Sequence, residues 1–433
     1  MDLVIIAALL FGAFFLLLLL GVPVSISIII SSVVTSASVL SFDLSTFVAC
    51  QKMISGVDSF SLLAVPFFIL TGVLMNSGGI AQRLINVAKI LVGRIPGGLA
   101  HTNIVGNTLF GSLSGSGVAA SIAVGGVIIP MEVEEGYDKK FAAAANIASA
   151  PTGLIIPPSG ILIIYAVLAG TSVVGMIMSG YIPGILWCVA CMVVAYIIAR
   201  REKYPTQKGV SFKVFIKVLI DAIPSLFLIF IIIGGICSGV FTATESAAVA
   251  VAYTLFLSIV VYKSVKISDL PKIFCEACET TAIIMFLIAA SATMSFVMSF
   301  TGLPAAIGEA MLSISENKYI ILLMINLILL VVGTFMDITP AVLIFAPIFL
   351  PVVQEFGMHP IHFGIMMVMN LGIGNITPPV GSCLFAGCSV AGMDMEDMIK
   401  PVIPFYIAIF IALMLVAYVP WFSMVIPQMV GAV

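Results

Sequence analysis

Apolar runs long enough to cross a bilayer, roughly 17 to 25 residues each, recur along the whole chain. Residues 3–20 and 22–41 form the first two, and Leu62–Met75 centres the third. A short amphipathic stretch, Ala81–Val92, carries Arg83 and Lys89 ahead of a Pro96-Gly97-Gly98 turn. Further spans are predicted over 181–199, 222–240, 246–262 and 279–300. A helical segment then runs to Asn317, Ile320–Val332 follows, and two spans close the chain.

Two kinds of interruption break this pattern. Between Thr102 and Pro130 the run is split by GSLSGSG at Gly111–Gly117, and neither half is long enough to cross, so the spacing predicts a re-entrant hairpin. GTFMDITPA at Gly333–Ala341 holds the same place in the second half. Beyond each hairpin a span is broken by paired prolines, TGLIIPPSG at Thr152–Gly160 and GNITPPVG at Gly374–Gly381. Proline cannot donate the helical bond four residues back, so the carbonyls of Gly153, Leu154, Gly374 and Asn375 are expected to be free. At membrane depth such groups are tolerated where they line a cavity or meet protein, and there they can hold an ion or polar solute.

The interruptions repeat in register. Pro158 and Pro379 are 221 positions apart (379 − 158), as are Gly160 and Gly381, Pro130 and Pro351, and Gly136 and Gly357. After a short gap, AGTSVVGMIM at Ala169–Met178 matches AGCSVAGMDM at Ala386–Met395. A hairpin followed by a broken helix, present twice, is the pattern of transporters with internal repeats, and alternating access favours an inverted pair. The expected division is N-terminal scaffold spans over 1–60, repeat 1 over 61–180, scaffold spans over 181–278, repeat 2 over 279–399 and a C-terminal span over 400–433.

Composition agrees with an all-α polytopic membrane protein: 62% of residues are hydrophobic and 9% charged, with a mean hydropathy of +1.28. The net charge of −3 and dispersed basic residues leave no footprint for nucleic acid. The first twenty residues lack a basic leader and a cleavage site and read as a retained span. Arg200–Lys217 and Lys263–Lys272 are the basic loops; two spans separate them, so both lie on one side, the cytoplasmic one. The CxxC pairs Cys188/Cys191 and Cys275/Cys278 lack the neighbours of a zinc site and read as packing.

The candidate chemistry sits at the interruptions. Ser112, Ser114 and Ser116 offer hydroxyls at the first tip, and Thr334, Asp337 and Thr339 hold the second, an oxygen-only set suited to a hard cation. On the 221 register Asp337 lies opposite Ser116, so the two sites are chemically unequal. A carboxylate in an apolar run is costly unless it faces a cavity or partner, which points Asp337 towards ion or substrate binding rather than capping. Ser116, Asp337 and Asn375 are the candidates for substrate contact. His101, His359 and His362 are assigned surface or local hydrogen-bonding roles, and Glu245 a helix-start role after Thr242 or Thr244.

GVFTATESAAVA at Gly239–Ala250, Leu62–Leu84, FGSLSGSGVAAS at Phe110–Ser121 and the two Pro-Pro motifs together resemble the large membrane subunit of TRAP (tripartite ATP-independent periplasmic) transporters. The resemblance covers essentially the whole chain. It implies a scaffold and a mobile, elevator-like transport domain with inverted repeats in the bacterial inner membrane, importing an organic acid with sodium and needing no other cofactor. It also implies a separate small four-span membrane subunit and a periplasmic substrate-binding protein. The family's sodium positions fall on Ser114, Ser116, Gly153, Ile156 and Pro158, and on Gly333, Thr334, Asp337, Thr377 and Val380. The look is closest to the sialic-acid members. A proton-coupled carrier is the nearest alternative and an ion channel a further one; no catalytic constellation points to an enzyme.

Overall fold

Helices make up the regular structure of the described residues, which are 3–206, 212–315 and 317–433 of a computed structural model. Residues 207–211 of the first basic loop lie outside them. The chain opens with α1 (Leu3–Leu19), α2 (Val24–Ala37), α3 (Phe42–Val57), α4 (Ala64–Ser77) and the amphipathic α5 (Ile80–Val92). The α3 helix escapes a hydropathy reading because polar residues run through it; the Ser41 side chain starts it by accepting from the Leu44 N–H.

The first hairpin is α6 (Gly98–Ser114) and α7 (Gly117–Glu134), reversed at Gly115, whose φ of 64° suits glycine. A broken helix follows as α8 (Lys139–Ser149), the single turn α9 (Thr152–Ile155) and α10 (Gly160–Leu168). Next come α11 (Val173–Ser179), α12 (Tyr181–Arg201), α13 (Phe212–Cys237), α14 (Ala243–Phe256) and α15 (Leu270–Thr301). At 32 residues, α15 begins nine residues before the predicted span. It turns at Gly302 into α16 (Leu303–Ile314).

The second hairpin is α17 (Lys318–Phe335) and α18 (Ile338–Glu355); its broken helix is α19 (Pro360–Gly374) and α20 (Ser382–Ala391). The 24-residue α21 (Met395–Tyr418) closes the set of spans. The second expected closing span is instead α22 (Trp421–Met429), whose nine residues are too short to cross.

Five candidate crossings lie between the hairpins: the bent pair over 139–168, then Val173–Arg201, Lys213–Cys237, Ala243–Val261 and Ile267–Thr301. With the bent pair counted as one broken span the number is odd, which is what an inverted pair of repeats requires. Packing has the matching exchange: α20 of repeat 2 lies on α7, and α10 of repeat 1 lies on α18. The positive-inside rule assigns the basic ends of α12, α13 and α15 to the cytoplasmic side, and with them the second hairpin's ends and Gly302 to the periplasmic side. Outside this body α15 packs on α2, α3 and α4, and α14 on α4 and α13.

Candidate functional site

Each hairpin is locked to its own break by a pair of glycines. A Cβ on Gly153 would lie 2.4 Å from the Gly111 Cα, and one on Gly374 would lie 2.5 Å from the Gly333 Cα. The absence of side chains at these points therefore lets two backbones meet, bringing tip and break together. Both Pro157–Pro158 and Pro378–Pro379 are cis.

The freed carbonyls do not stay free where their partners are visible. The Leu154 carbonyl accepts from the Ser159 hydroxyl. The Gly374 carbonyl accepts from the Thr377 N–H at 2.9 Å, and that of Asn375 from the Cys383 N–H at 3.0 Å and the Leu384 N–H at 3.3 Å. Proline removes the ordinary helical donor, and the chain beyond the break returns others, a correction to the expectation of bare carbonyls. The Val380 N–H also donates to the Thr334 carbonyl at 3.1 Å, stitching break 2 to hairpin 2.

At the tips, Ser116 and Asp337 both stand at the start of a helix, α7 and α18. The Ser116 hydroxyl accepts from the Ala119 N–H at 3.2 Å, a working cap. Asp337 makes no such cap bond; its exposed carboxylate instead accepts from the Ser382 hydroxyl at 3.3 Å. Ser114 leans across the first tip, accepting from the Ser116 N–H at 3.4 Å.

Both tips and both breaks reach one cavity of about 380 Å³. Ser114 and Ser116 line it from hairpin 1, Leu154 from break 1, Asp337 and Thr339 from hairpin 2, Asn375 from break 2 and Ser382 from the start of α20. Its outer wall is α4 and the face of α15 that presents Glu276, Thr280 and Ile284. Two carboxylates and several hydroxyls face this space, and no Lys, Arg or His side chain is among its lining residues. A smaller cavity of about 110 Å³ joins Ser114 and Gly115 to Pro158 and Thr339.

Of the other predicted positions, Pro158 lines the smaller space, while Gly153, Ile156, Gly333, Thr334, Thr377 and Val380 are not among the lining residues of either. Gly153, Gly333 and Ile156 are buried; Ile156 packs its side chain where a Cβ on Gly184 of α12 would fall. The Thr334 and Thr377 hydroxyls donate back to the carbonyls of Val331 and Ile373, both at 2.7 Å. The Val380 side chain is exposed, while its backbone makes the stitch described above.

Comparison with known proteins decides what this arrangement belongs to. Residues 11–422 match the family described as Tripartite ATP-independent periplasmic transporter, DctM component. The chain belongs to this family. As a TRAP large permease it is a multi-pass membrane transport component of a system named for three parts. It is 49% identical over 421 residues to the uncharacterized protein YgiK of Salmonella typhimurium, covering 97% of each chain. It is 39% identical to the sialic acid TRAP transporter large permease protein SiaM of Vibrio cholerae, covering 95% of this chain and 96% of the relative. It is 38% identical to the C4-dicarboxylate large permease DctM of Pseudomonas aeruginosa, covering 88% and 89%. Among solved structures, the YdaH transporter of Alcanivorax borkumensis shares the fold, with a TM-score of 0.62 at 13% identity over 85% of this chain and 87% of that one.

Several groups of this TRAP subunit lie elsewhere than sequence reasoning put them. His101 and His362 are buried, which removes the surface alternative for both; His362 takes the hydrogen-bonding one, between the Ser423 hydroxyl at 2.6 Å and the Ala417 carbonyl at 3.2 Å. Glu245 does start α14, in a capping box with Thr242. Glu276 and Thr280 are site residues that sequence reasoning missed; their spacing of four on one helix, on either side of the start of the span predicted over 279–300, is the available signal.

Proposed function

We propose that this chain carries an organic acid inward with sodium, the hairpin tips and breaks moving as one body along α15 in an elevator-type exchange. The observation that supports it is the shared cavity: oppositely inserted tips meet there beside Asp337, against a wall of α4 and α15. An organic carboxylate entering a space lined by Asp337 and Glu276 and no basic side chain meets only like charge. Cations bound at the two tips resolve this. The proposed oxygen sets are Ser114, Ser116, Gly153, Ile156 and Pro158 for one ion, and Gly333, Thr334, Asp337, Thr377 and Val380 for the other. Ser116, Asp337 and Asn375 would face the substrate. A small four-span subunit and a periplasmic binding protein complete the system. The relatives' names include sialic acid and C4-dicarboxylates, and we lean towards sialic acid.

The test is uptake into proteoliposomes holding this chain and the small subunit, with the binding protein supplied outside. Sialic acid should accumulate with an inward sodium gradient and only when all parts are present. Inward sodium is also driven by the potential, about 2.3 kcal/mol per charge per 100 mV. Glu276, a second carboxylate on the cavity, gives a proton-coupled carrier its structural foothold. Equal uptake with sodium absent and a proton gradient imposed would select that reading instead.

A further inference from the structure

The α15 face that walls the first cavity continues past a second one. Glu276, Thr280 and Ile284 line the first; Ile288, Ala292, Ser295, Phe296 and Ser299 line a separate crevice of about 460 Å³. Thr280 and Ser295 are fifteen positions apart on one helix, about 22 Å at 1.5 Å per residue. Because α15 starts beside the cytoplasmic basic loop, the second crevice lies towards the periplasmic side. Its inner wall comes from the repeats, through Ile164 and Leu168 of α10 and Leu343 of α18.

The polar lining of the two spaces is opposite in sign. The crevice has no carboxylate among its lining residues and holds Lys52, with Ser55, Ser59, Ser295 and Ser299 around it. Lys52 is held in place from both ends of its helix segment. The Thr293 hydroxyl donates to the Ala49 carbonyl at 3.3 Å, and α3 and α15 touch so closely at Gly56 that a Cβ there would fall 2.3 Å from the Ala292 Cβ. Its Nζ lies 5.0 Å from the centre of the Phe296 ring. Among the described residues it forms no ion pair. A partly buried lysine with hydroxyls around it and no ion pair gives the crevice a positive wall rich in hydrogen-bond donors, the polarity an anion prefers.

We propose that this crevice is an external reception site for the carboxylate of the incoming organic acid, with Lys52 as counter-charge and Ser59, Ser295 and Ser299 as hydrogen-bond donors, occupied before the hairpin tips take the substrate. The sequence of events rests on the transport reading above; the site itself rests on Lys52 and the crevice. A lysine draws the anion out of the periplasm, and the cation-loaded tips remove it to a space where no fixed positive charge retains it.

The test measures the field of Lys52 directly. The complete system is expressed in cells with Cys50, Cys237, Cys275 and Cys278 of this chain replaced by serine to clear exposed thiols. Ser295→Cys is then labelled from outside spheroplasts with an anionic sulfonatoethyl and a cationic trimethylammonioethyl methanethiosulfonate, each rate divided by that of free cysteine. The anionic reagent should be favoured by ~5-fold or more. Lys52→Gln should bring the ratio to about one and Lys52→Arg should restore it. Sialic acid or succinate should slow labelling of the Lys52 protein only. Ser299→Cys serves in place of Ser295→Cys if the latter fails to fold. A ratio indifferent to Lys52→Gln, no labelling from outside, or no protection by either acid, as at a lipid-headgroup site, overturns the proposal. A lost ratio with sodium-driven uptake intact removes only this site; a retained ratio without sodium dependence removes only the transport reading.

Discussion

The two repeats fold alike, but their tips and breaks are hydrogen-bonded differently. Ser116 and Asp337 occupy the same helix-start position 221 residues apart (337 − 116), yet the serine spends its oxygen on its own helix and the aspartate leaves its cap unmade. The breaks diverge in the same way. Break 1 is closed by its own Ser159 side chain, whereas break 2 donates backbone to hairpin 2 through Val380 and Thr334, and Asp337 reaches Ser382 beyond it. Repeat 1 is thus self-satisfied and neutral at its tip. Repeat 2 holds a charge out to the cavity and couples tip, break and following helix in one network. Shared backbone geometry fixes where the chemistry occurs, and a handful of side chains decides how strong it is in each half.

The largest effect should come where the halves are alike. Gly153→Ala and Gly374→Ala each place a Cβ far inside van der Waals contact with the opposing backbone, 2.4 Å from the Gly111 Cα and the Gly333 carbonyl carbon. Backbone cannot yield as a flexible side chain does, so each should cost about 1–3 kcal/mol in stability and lower uptake by roughly ten-fold or more. Gly126→Ala, whose new Cβ has its nearest atom, in Val390, at 3.9 Å, is the control and should be near neutral. Tolerance of either tight substitution, by thermal melting and uptake, would break the equivalence of the two clasps.

The halves should part at the tips. Asp337→Asn removes a charge while leaving a residue that starts helices well, so the fold should survive and half-saturating sodium should rise by roughly ten- to a hundred-fold, about 1.5–3 kcal/mol. Ser116→Ala should act the other way round, with about 1 kcal/mol of lost capping stability and a smaller change in sodium dependence. If both variants shift half-saturating sodium equally, or Asp337→Asn shifts nothing, the charge asymmetry has no role in binding.

The repeat was legible because it is written in residue types that act on their own backbone, glycines at 136 and 357 and proline pairs 221 apart; the expectation that the hairpin arms are too short to cross was wrong, since α7, α17 and α18 are each apolar helices of 18 residues and it is the turn at the tip that makes them hairpins. What stayed hidden depends on partners far along the chain. No local signal says that the Ile376 carbonyl is met by the Tyr406 hydroxyl, or that Asn107 reaches Asn146 at 2.8 Å while Asn370 reaches Asn326 at 2.8 Å. Hydropathy failed at α3 and at the first turns of α15, where Lys52 and Glu276 interrupt the apolar average. Those interruptions are where polar side chains face the two cavities, so the residues that blur a span are the ones the site uses.

The smallest test concerns a pair of caps at the opposite ends of the repeats. Asp138 starts α8 by accepting from the Lys140 N–H at 2.9 Å, and its counterpart 221 positions on, His359, starts α19 by accepting from the Ile361 N–H at 3.2 Å through Nδ1. A histidine can accept there only when that nitrogen is unprotonated, and burial holds the His359 imidazole below its ordinary pKa. The sign follows: a depressed pKa means the unfolded chain takes up the proton first, so the cap's contribution is full above the unfolded value and is lost as pH falls through the folded one. The His359 end of the second repeat lies on the periplasmic side, so only that repeat meets external acid. His359→Asn keeps a good cap without the titration. Between pH of about 7.5 and about 5, the wild type should lose about 1–2 °C more in melting temperature than the variant, a cap being worth roughly 1 kcal/mol. Because His362 and Lys318 line the same outer cavity as His359, the quantity to read is the difference between the two proteins at each pH. Parallel melting curves across that range would show that the imidazole cap carries no weight and that acid acts on the two repeats alike.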